Sequence, residues 1–231
     1  MNTRSLEASG IEMILNMRMH QHLRCIPTRE PMRTKSETKR RQILTIAGNL
    51  FREHGFGAVN MAQIAASVGG SKSTLYNHFP SKEALFEAYV IEAGREPFAA
   101  LADSNQAGDN VEKSLTAYAR AYLRLLLSPE VLAINRLVIA EAPRFQELGR
   151  IFYQNGPRAT LDQIEKKLEH LVERQALAIP DIAMAALQFK AVAEAGIYEH
   201  CLWGLIDRPN DAQIETAAKN ASTTILTLYG R

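Results

Sequence analysis

The 231-residue chain is 46% apolar and 23% charged, an ordinary globular composition with room for one large domain or two smaller ones. No run reaches the roughly 18 uncharged apolar residues that a membrane span needs. Cys25 and Cys201 are the only cysteines, too few for a disulfide framework, so a cytoplasmic protein is expected. The net charge of +2 conceals an asymmetry. Residues 33–82 carry eight Lys/Arg against Glu37 and Glu53, a balance of +6, whereas residues 83–231 carry fifteen basic against twenty acidic residues. A basic unit followed by a mildly acidic one points to a polyanionic partner, with nucleic acid the first candidate.

In chain order, residues 1–32 show no sustained periodicity. Pro27 and Pro31 interrupt any helix, and "IEMILNMRMH" is too short and broken for a signal-peptide core. The segment reads as a disordered arm, or as an extension upstream of a start at Met32. From Ser36 the pattern sharpens. Ile43, Leu44, Ala47, Leu50 and Phe51 form the apolar stripe of a first helix. Gly55 suits its C-terminus, and Phe56 is placed to pack back on the last turn. A second helix starts after Asn60, with Gln63 completing a capping box. Ile64, Ala65 and Val68 face inward, and Gly69-Gly70 stops it.

Ser71 caps a third, short helix that ends before Pro80-Ser81. Leu75 and Phe79, four apart, define its buried face. At 100° per residue, Ser73 and Asn77 lie at about 160° on either side of Leu75, directly outward. Thr74 and Tyr76 flank them, with Lys72 and His78 nearer the core boundary. A small polar face edged by a cation and a phenol suits a DNA major groove, where small groups reach base edges while Lys and Tyr hold phosphates. It suits catalysis poorly, because no carboxylate or second histidine is near in sequence to orient His78, and no zinc-ligand spacing is present.

Two short helices joined by a Gly-containing turn and laid on a longer one make a helix-turn-helix. Here "ILTIAGNLFREHGF", "IAASVGGSKSTLYNHF" and "SKEAL" together resemble the N-terminal domain of the TetR family of bacterial transcriptional regulators. The resemblance implies DNA contacts from Ser71, Lys72, Ser73, Thr74, Tyr76, Asn77 and His78, and a backbone-phosphate contact from Lys82 at the start of a fourth helix. Met61-Ala62 departs from the family, whose members often carry Thr or Ser there. Lys39-Arg40-Arg41 is either a solvated face or a second phosphate cluster, and Arg33 and Lys35 could extend an arm toward the DNA backbone.

After Ala100 every periodic segment is helical, so the fold expected is all-α. "VEKSLTAYARAYLRLLL" stops at Ser128-Pro129, and "VLAINRLVIAEA" ends before Pro143. A helix able to start at Pro157 carries Leu161, Ile164, Leu168, Leu171 and Val172. "DIAMAALQFKAVAEAGIYEHCLWGLI" and "DAQIETAAKNASTTILTLY" complete the chain. The resemblance implies a homodimer through these last two helices, with Ala186, Ala193, Gly196, Ala217, Ala221 and Ser222 allowing close approach; packing within one subunit is the alternative. The divisions expected are residues 1–32, a DNA-binding domain over 33–82 with helix four running to about 100, and a ligand-binding and dimerisation domain over 101–231.

"INRLVIAEAPRFQELGRIFYQNGP" resembles a TetR-like subgroup linked to efflux or stress control. By that resemblance, Arg136, Glu141, Phe145, Phe152, Tyr153, His200 and Trp203 are candidate effector contacts. Cys201, flanked by Leu202 and Trp203, reads as an inert buried thiol. No cofactor or metal is implied. The sequence thus describes a ligand-responsive regulator, a repressor of an inverted-repeat operator being the usual form. A helical enzyme is the competing class, but no paired carboxylates, nucleophile elbow or phosphate-cradling loop supports it.

Overall fold

A computed structural model describes residues 35–104 and 110–231. The expectations for residues 1–32 and for Arg33 fall outside the described residues. Eleven α-helices are described: α1 Lys35–His54, α2 Met61–Val68, α3 Lys72–His78, α4 Lys82–Asp103, α5 Val111–Leu126, α6 Pro129–Glu141, α7 Gln146–Tyr153, α8 Ala159–Glu173, α9 Ile182–Glu194, α10 Ile197–Leu202 and α11 Asp211–Tyr229. No strand occurs among the described residues; one isolated bridge pairs Leu177 with Gly230. No described helix is long and apolar enough to cross a membrane.

The first helices begin and end where side chains satisfy their free backbone groups. Asn60 accepts from Gln63 N while the Gln63 side chain accepts from Asn60 N, closing the expected capping box of α2. Gly69, at φ +66°, caps its C-terminus in the left-handed region that glycine adopts without steric cost. Ser71 and Ser81 cap α3 and α4 through one bond each, accepting from Thr74 N and Ala84 N.

Residues 40–231 form one unit with two apolar cores. The first gathers Ile43, Leu44, Ala47 and Phe51 of α1 with Ile64, Leu75, Phe79 and the opening turns of α4. Its centre is aromatic: the Phe56 ring lies 5.4 Å from Phe51 and 5.6 Å from Phe86, the latter edge to face. Ile134, Leu137 and Val138 of α6 and Leu148 and Ile151 of α7 complete it. The second core joins α5, α8, α9 and α11 around Tyr118, Tyr122 and Phe189. Helix α4 serves both, with Leu85, Phe86, Ala88, Tyr89 and Val90 in the first core and Leu101 in the second.

Three features depart from the sequence reading. The segment 181–206 is two helices: Gly196, at φ +76°, ends the path of α9 and starts α10 in a new direction. Pro157 opens no helix and lies inside a π-helical turn, Gln154–Arg158, that joins α7 to α8. Lacking an N–H, proline needs no acceptor one turn back, which favours this local widening. The small residues assigned to a dimer face are used inside the subunit. Ala186, Ala193, Ala221 and Ser222 are fully buried, Ala217 nearly so, and Ser222 Oγ donates to Glu112 O at 3.1 Å. They let α11 approach α5 and α9 closely. Gly196 alone of the set is exposed.

Candidate nucleic-acid interface and buried cavity

Helix α3 presents the face that its periodicity predicts. Leu75 and the following Phe79 are buried, while Lys72, Ser73, Tyr76 and Asn77 are exposed and Thr74 and His78 lie at the boundary. The cap orders the hydroxyls. Ser71 Oγ accepts from Thr74 N at 3.1 Å and lies 2.9 Å from Thr74 Oγ1 and 2.8 Å from Ser73 Oγ. Ser71 and Thr74 are thus engaged in holding the helix start. Asn77 and Tyr76, with no hydrogen-bond partner among the described residues, keep their full capacity for an outside surface. Half-exposed Tyr76 (49%) offers its phenol at the rim.

The basic residues divide between the core and the surface. Arg40 places its guanidinium over the Phe79 ring, 5.1 Å from the ring centre. Arg41 turns to Glu92 of α4 at 3.4 Å. Lys82 does not extend as a bare phosphate-binding cation. Its Nζ donates to Phe56 O and Val59 O at 2.8 Å each and sits 4.1 Å from the centre of the Phe56 ring. Burial lowers its pKa, against the opposing pull of Glu83 and Glu141. The ammonium clamps the α1–α2 loop to the start of α4.

That loop also meets the second half of the chain. Phe145, which precedes α7, packs edge to face on Phe56 at 5.5 Å. The Glu141 carboxylate covers the loop glycines so closely that a Cβ on Gly55 would meet Oε1 at 2.5 Å. Phe145 and Glu141, expected to bind an effector, are therefore contacts between the loop after α1 and the turn after α6.

A cavity of about 110 Å³ opens between α4, α5, α6, the π turn and α9. Apolar side chains such as Val90, Phe98, Ile134 and Phe152 make most of its wall, and one polar cluster interrupts it. Within the cluster Tyr122 Oη donates to Glu194 Oε1, and Lys190 Nζ donates to Glu194 Oε2 at 2.9 Å and pairs with Oε1 at 2.8 Å. Asn135 Nδ2 donates to Tyr198 Oη. Burial, then the Glu194 charge, pushes the Tyr198 phenol up to about 12 and the Tyr122 phenol well above its usual value. Both stay protonated at neutral pH.

Of the seven expected effector contacts, Phe152 alone lines this cavity. Arg136 donates to Leu202 O at 2.8 Å and to Cys201 O, tying α6 to the end of α10. His200 lines an open groove between α10 and α11. Tyr153 and Trp203 are 55% and 67% exposed. Cys201 is buried, and burial raises its thiol pKa, as expected of an inert thiol. Tyr122, Asn135, Lys190, Glu194 and Tyr198 were missed. Their shared cavity depends on how four helices cross, and the i, i+4 pair Lys190/Glu194 was the one signal in the sequence.

Residues 43–89 match the family model of bacterial regulatory proteins, tetR family. Residues 113–231 match that of the AefR-like transcriptional repressor C-terminal domain. The chain is 41% identical over 61 residues to the HTH-type transcriptional regulator UidR of Escherichia coli, spanning 26% of this chain and 31%, about a third, of UidR. Over 153 residues it is 27% identical to the nucleoid occlusion factor SlmA of Pectobacterium carotovorum, covering 62% of this chain and 66% of that one. Among solved structures it superposes on a TetR-family transcriptional regulator from Mesorhizobium loti with a TM-score of 0.75 at 27% identity, over 86% of this chain and all of the other. It is similar too to the flavonoid-responsive regulator FrrA, with a TM-score of 0.70 and 30% identity over 84% and 97% of the two chains.

Proposed function

Since this chain belongs to the TetR family of bacterial regulatory proteins, we propose that it is a sequence-specific DNA-binding regulator, a repressor released from an inverted-repeat operator by a small molecule. The observation that carries the reading is the outer face of α3. Ser73 and Asn77 stand at its centre with Lys72 and Tyr76 exposed beside them. In this role Ser73 and Asn77 read base edges, Lys72, Tyr76 and His78 hold phosphates, and Ser71 and Thr74 set the helix start. Lys82 acts by fixing the loop and the first turn of α4 against the DNA-reading unit.

Binding an inverted repeat takes two copies, with recognition helices about 34–36 Å apart. Helices α9 and α11 remain the proposed interface, through faces other than the buried small residues. Ala183, Met184, Leu187 and Ala191 recur at near-helical spacing on α9 and are exposed; Gln213, Thr216, Asn220 and Thr227 give α11 an exposed, uncharged strip. The cavity is the proposed effector site. Val90, Gly94 and Phe98 form its α4 wall on the helix whose first turn carries Lys82, so a ligand that displaces this wall acts on the DNA-reading end. Ligand and operator then each prefer one dimer state and weaken each other's binding.

The test is a gel-shift and footprint titration against DNA flanking the protein's own gene, at physiological salt with excess competitor. Protection of an inverted repeat by a dimer is expected, and Asn77→Ala should relax sequence preference by about 1–3 kcal/mol per lost base contact. An Asn77→Ala protein that keeps both affinity and selectivity would refute the assigned reading face.

A further inference from the structure

The polar cluster in the cavity constrains what the cavity can hold, and this inference rests on its being the effector site. An anion is disfavoured because Lys190, the one cation lining the cavity among the described residues, is already paired with both oxygens of Glu194. A ligand carboxylate would face the Glu194 charge with no free counter-ion. A cationic ligand would have to displace Lys190 from the same carboxylate. The paired charges leave a cavity that is neutral as a whole and apolar over most of its wall.

The hydrogen-bond inventory is more specific. Tyr198 Oη accepts from Asn135 Nδ2, but its own proton has no acceptor among the described residues. Of the roughly four lone-pair sites of a carboxylate, Glu194 uses one on Oε1, for Tyr122, and one on Oε2, for Lys190, whose ammonium also lies 2.8 Å from Oε1. One acceptor position on Oε2 remains. The free donor and free acceptor thus stand in one cluster. A hydroxyl fits both, accepting from Tyr198 and donating to Glu194, whereas a carbonyl or ether oxygen can only accept. An acidic O–H makes the stronger bond to a carboxylate, which favours a phenol over an alcohol.

Size sets the rest. An engineered apolar cavity of roughly 150 Å³ takes up benzene, so a cavity of about 110 Å³ favours a ligand of no more than one ring. Phe98 and Phe152 give the wall aromatic partners for it. We propose that the effector is a neutral monocyclic phenol, its ring in the apolar part of the cavity and its hydroxyl between Tyr198 and Glu194.

The test is isothermal titration of the full-length protein with four matched probes: p-cresol, toluene, benzoate and benzylamine. p-Cresol should bind on the order of tenfold or more tighter than toluene, because without the hydroxyl the polar groups are left unpaired. Benzoate and benzylamine should bind more weakly than p-cresol. Tyr198→Phe should remove most of the preference for p-cresol over toluene. Glu194→Gln, which frees Lys190, should weaken p-cresol and admit benzoate, a gain that damage to the fold would not produce. Gly94→Leu places a side chain on the cavity wall where an added Cβ meets nothing within 4 Å, and it should exclude every probe. Circular dichroism melts check that each variant is folded.

Toluene binding as tightly as p-cresol, benzoate binding more tightly, or no probe binding to folded protein would each overturn the assignment. Operator shifts on the same preparations separate this from the regulator reading. An operator complex with no probe bound refutes the phenol alone, whereas p-cresol that binds without releasing operator upholds the site and refutes release.

Discussion

Lys82 illustrates how much one side chain's role depends on neighbours distant in sequence. It lies 26 and 23 residues from the carbonyls it binds, so its position after Ser81 says only that it opens a helix. Lys82→Met keeps a side chain of similar length and removes both charged hydrogen bonds and the ammonium over the Phe56 ring. Urea unfolding should show a loss of about 2 kcal/mol, and the salt dependence of DNA binding should stay near that of the wild type. Removal of Lys72, which is exposed, should instead flatten the salt dependence by about one unit of slope. Two helical glycines make an opposite pair. A Cβ on Gly48 would meet the Tyr89 ring at 2.4 Å, whereas one on Gly94 meets nothing. Gly48→Ala should therefore lose about 1–3 kcal/mol through overpacking, and Gly94→Ala should gain up to about 1 kcal/mol from helix propensity. Thermal melts of both variants check the signs. Sequence pattern could not separate them, nor could it reveal that Lys167 is buried with its ammonium on Ser114 Oγ at 2.8 Å.

At the scale of elements, the readable parts were those fixed by local chemistry. The caps at Asn60, Ser71 and Ser81 and the left-handed Gly55 and Gly69 depend on residues a few positions away, and so did the outward face of α3. The π turn, the break at Gly196 and the burial of the small faces of α9 and α11 depend on crossings between elements, which hydrophobic period alone does not encode. The turn after α6 belongs to this second kind. Phe145 sits on Phe56, and Phe56 sits under Lys82, so α6 and α7, which line the cavity, touch the DNA-reading unit through a second contact besides α4. On the proposed release mechanism, Phe145→Ala should cut the factor by which an effector weakens operator binding. Operator affinity measured with and without a saturating effector reports it, and an unchanged ratio would mean that α4 carries the coupling alone.

For the molecule as a whole, alkaline pH should expose the cost of burying phenols. Burial raises the folded-state pKa of Tyr89, Tyr118, Tyr122 and Tyr198 above the usual 10.0, Tyr198 to about 12. The folded protein holds protons there that the unfolded chain releases, so this stability is present below pH 10 and is lost as pH rises from 10 through about 12. Lys82 and Lys167, lowered by burial, act in the opposite sense up to their ordinary 10.5. Melting temperatures by circular dichroism should therefore fall most steeply above pH 10.5, and less steeply in Tyr198→Phe. Assembly is a second whole-molecule property: Leu187→Asp on the exposed stripe of α9 should convert dimer to monomer in sedimentation. A dimer unaffected by that change would place the interface elsewhere.

The double service of α4 has an engineering consequence. Val90 belongs to the first core, Phe98 to the cavity and Leu101 to the second core, so the two halves of the molecule share one rotational phase. Each residue inserted between Val90 and Phe98 would turn one half against the other by about 100° and lengthen the rod by about 1.5 Å. A seven-residue insertion comes back to within about 20° of the starting angle. A hybrid that grafts the reading head of one regulator onto the sensor of another should thus transmit its signal when the splice preserves that angle. One that breaks it should yield two folded halves that no longer communicate.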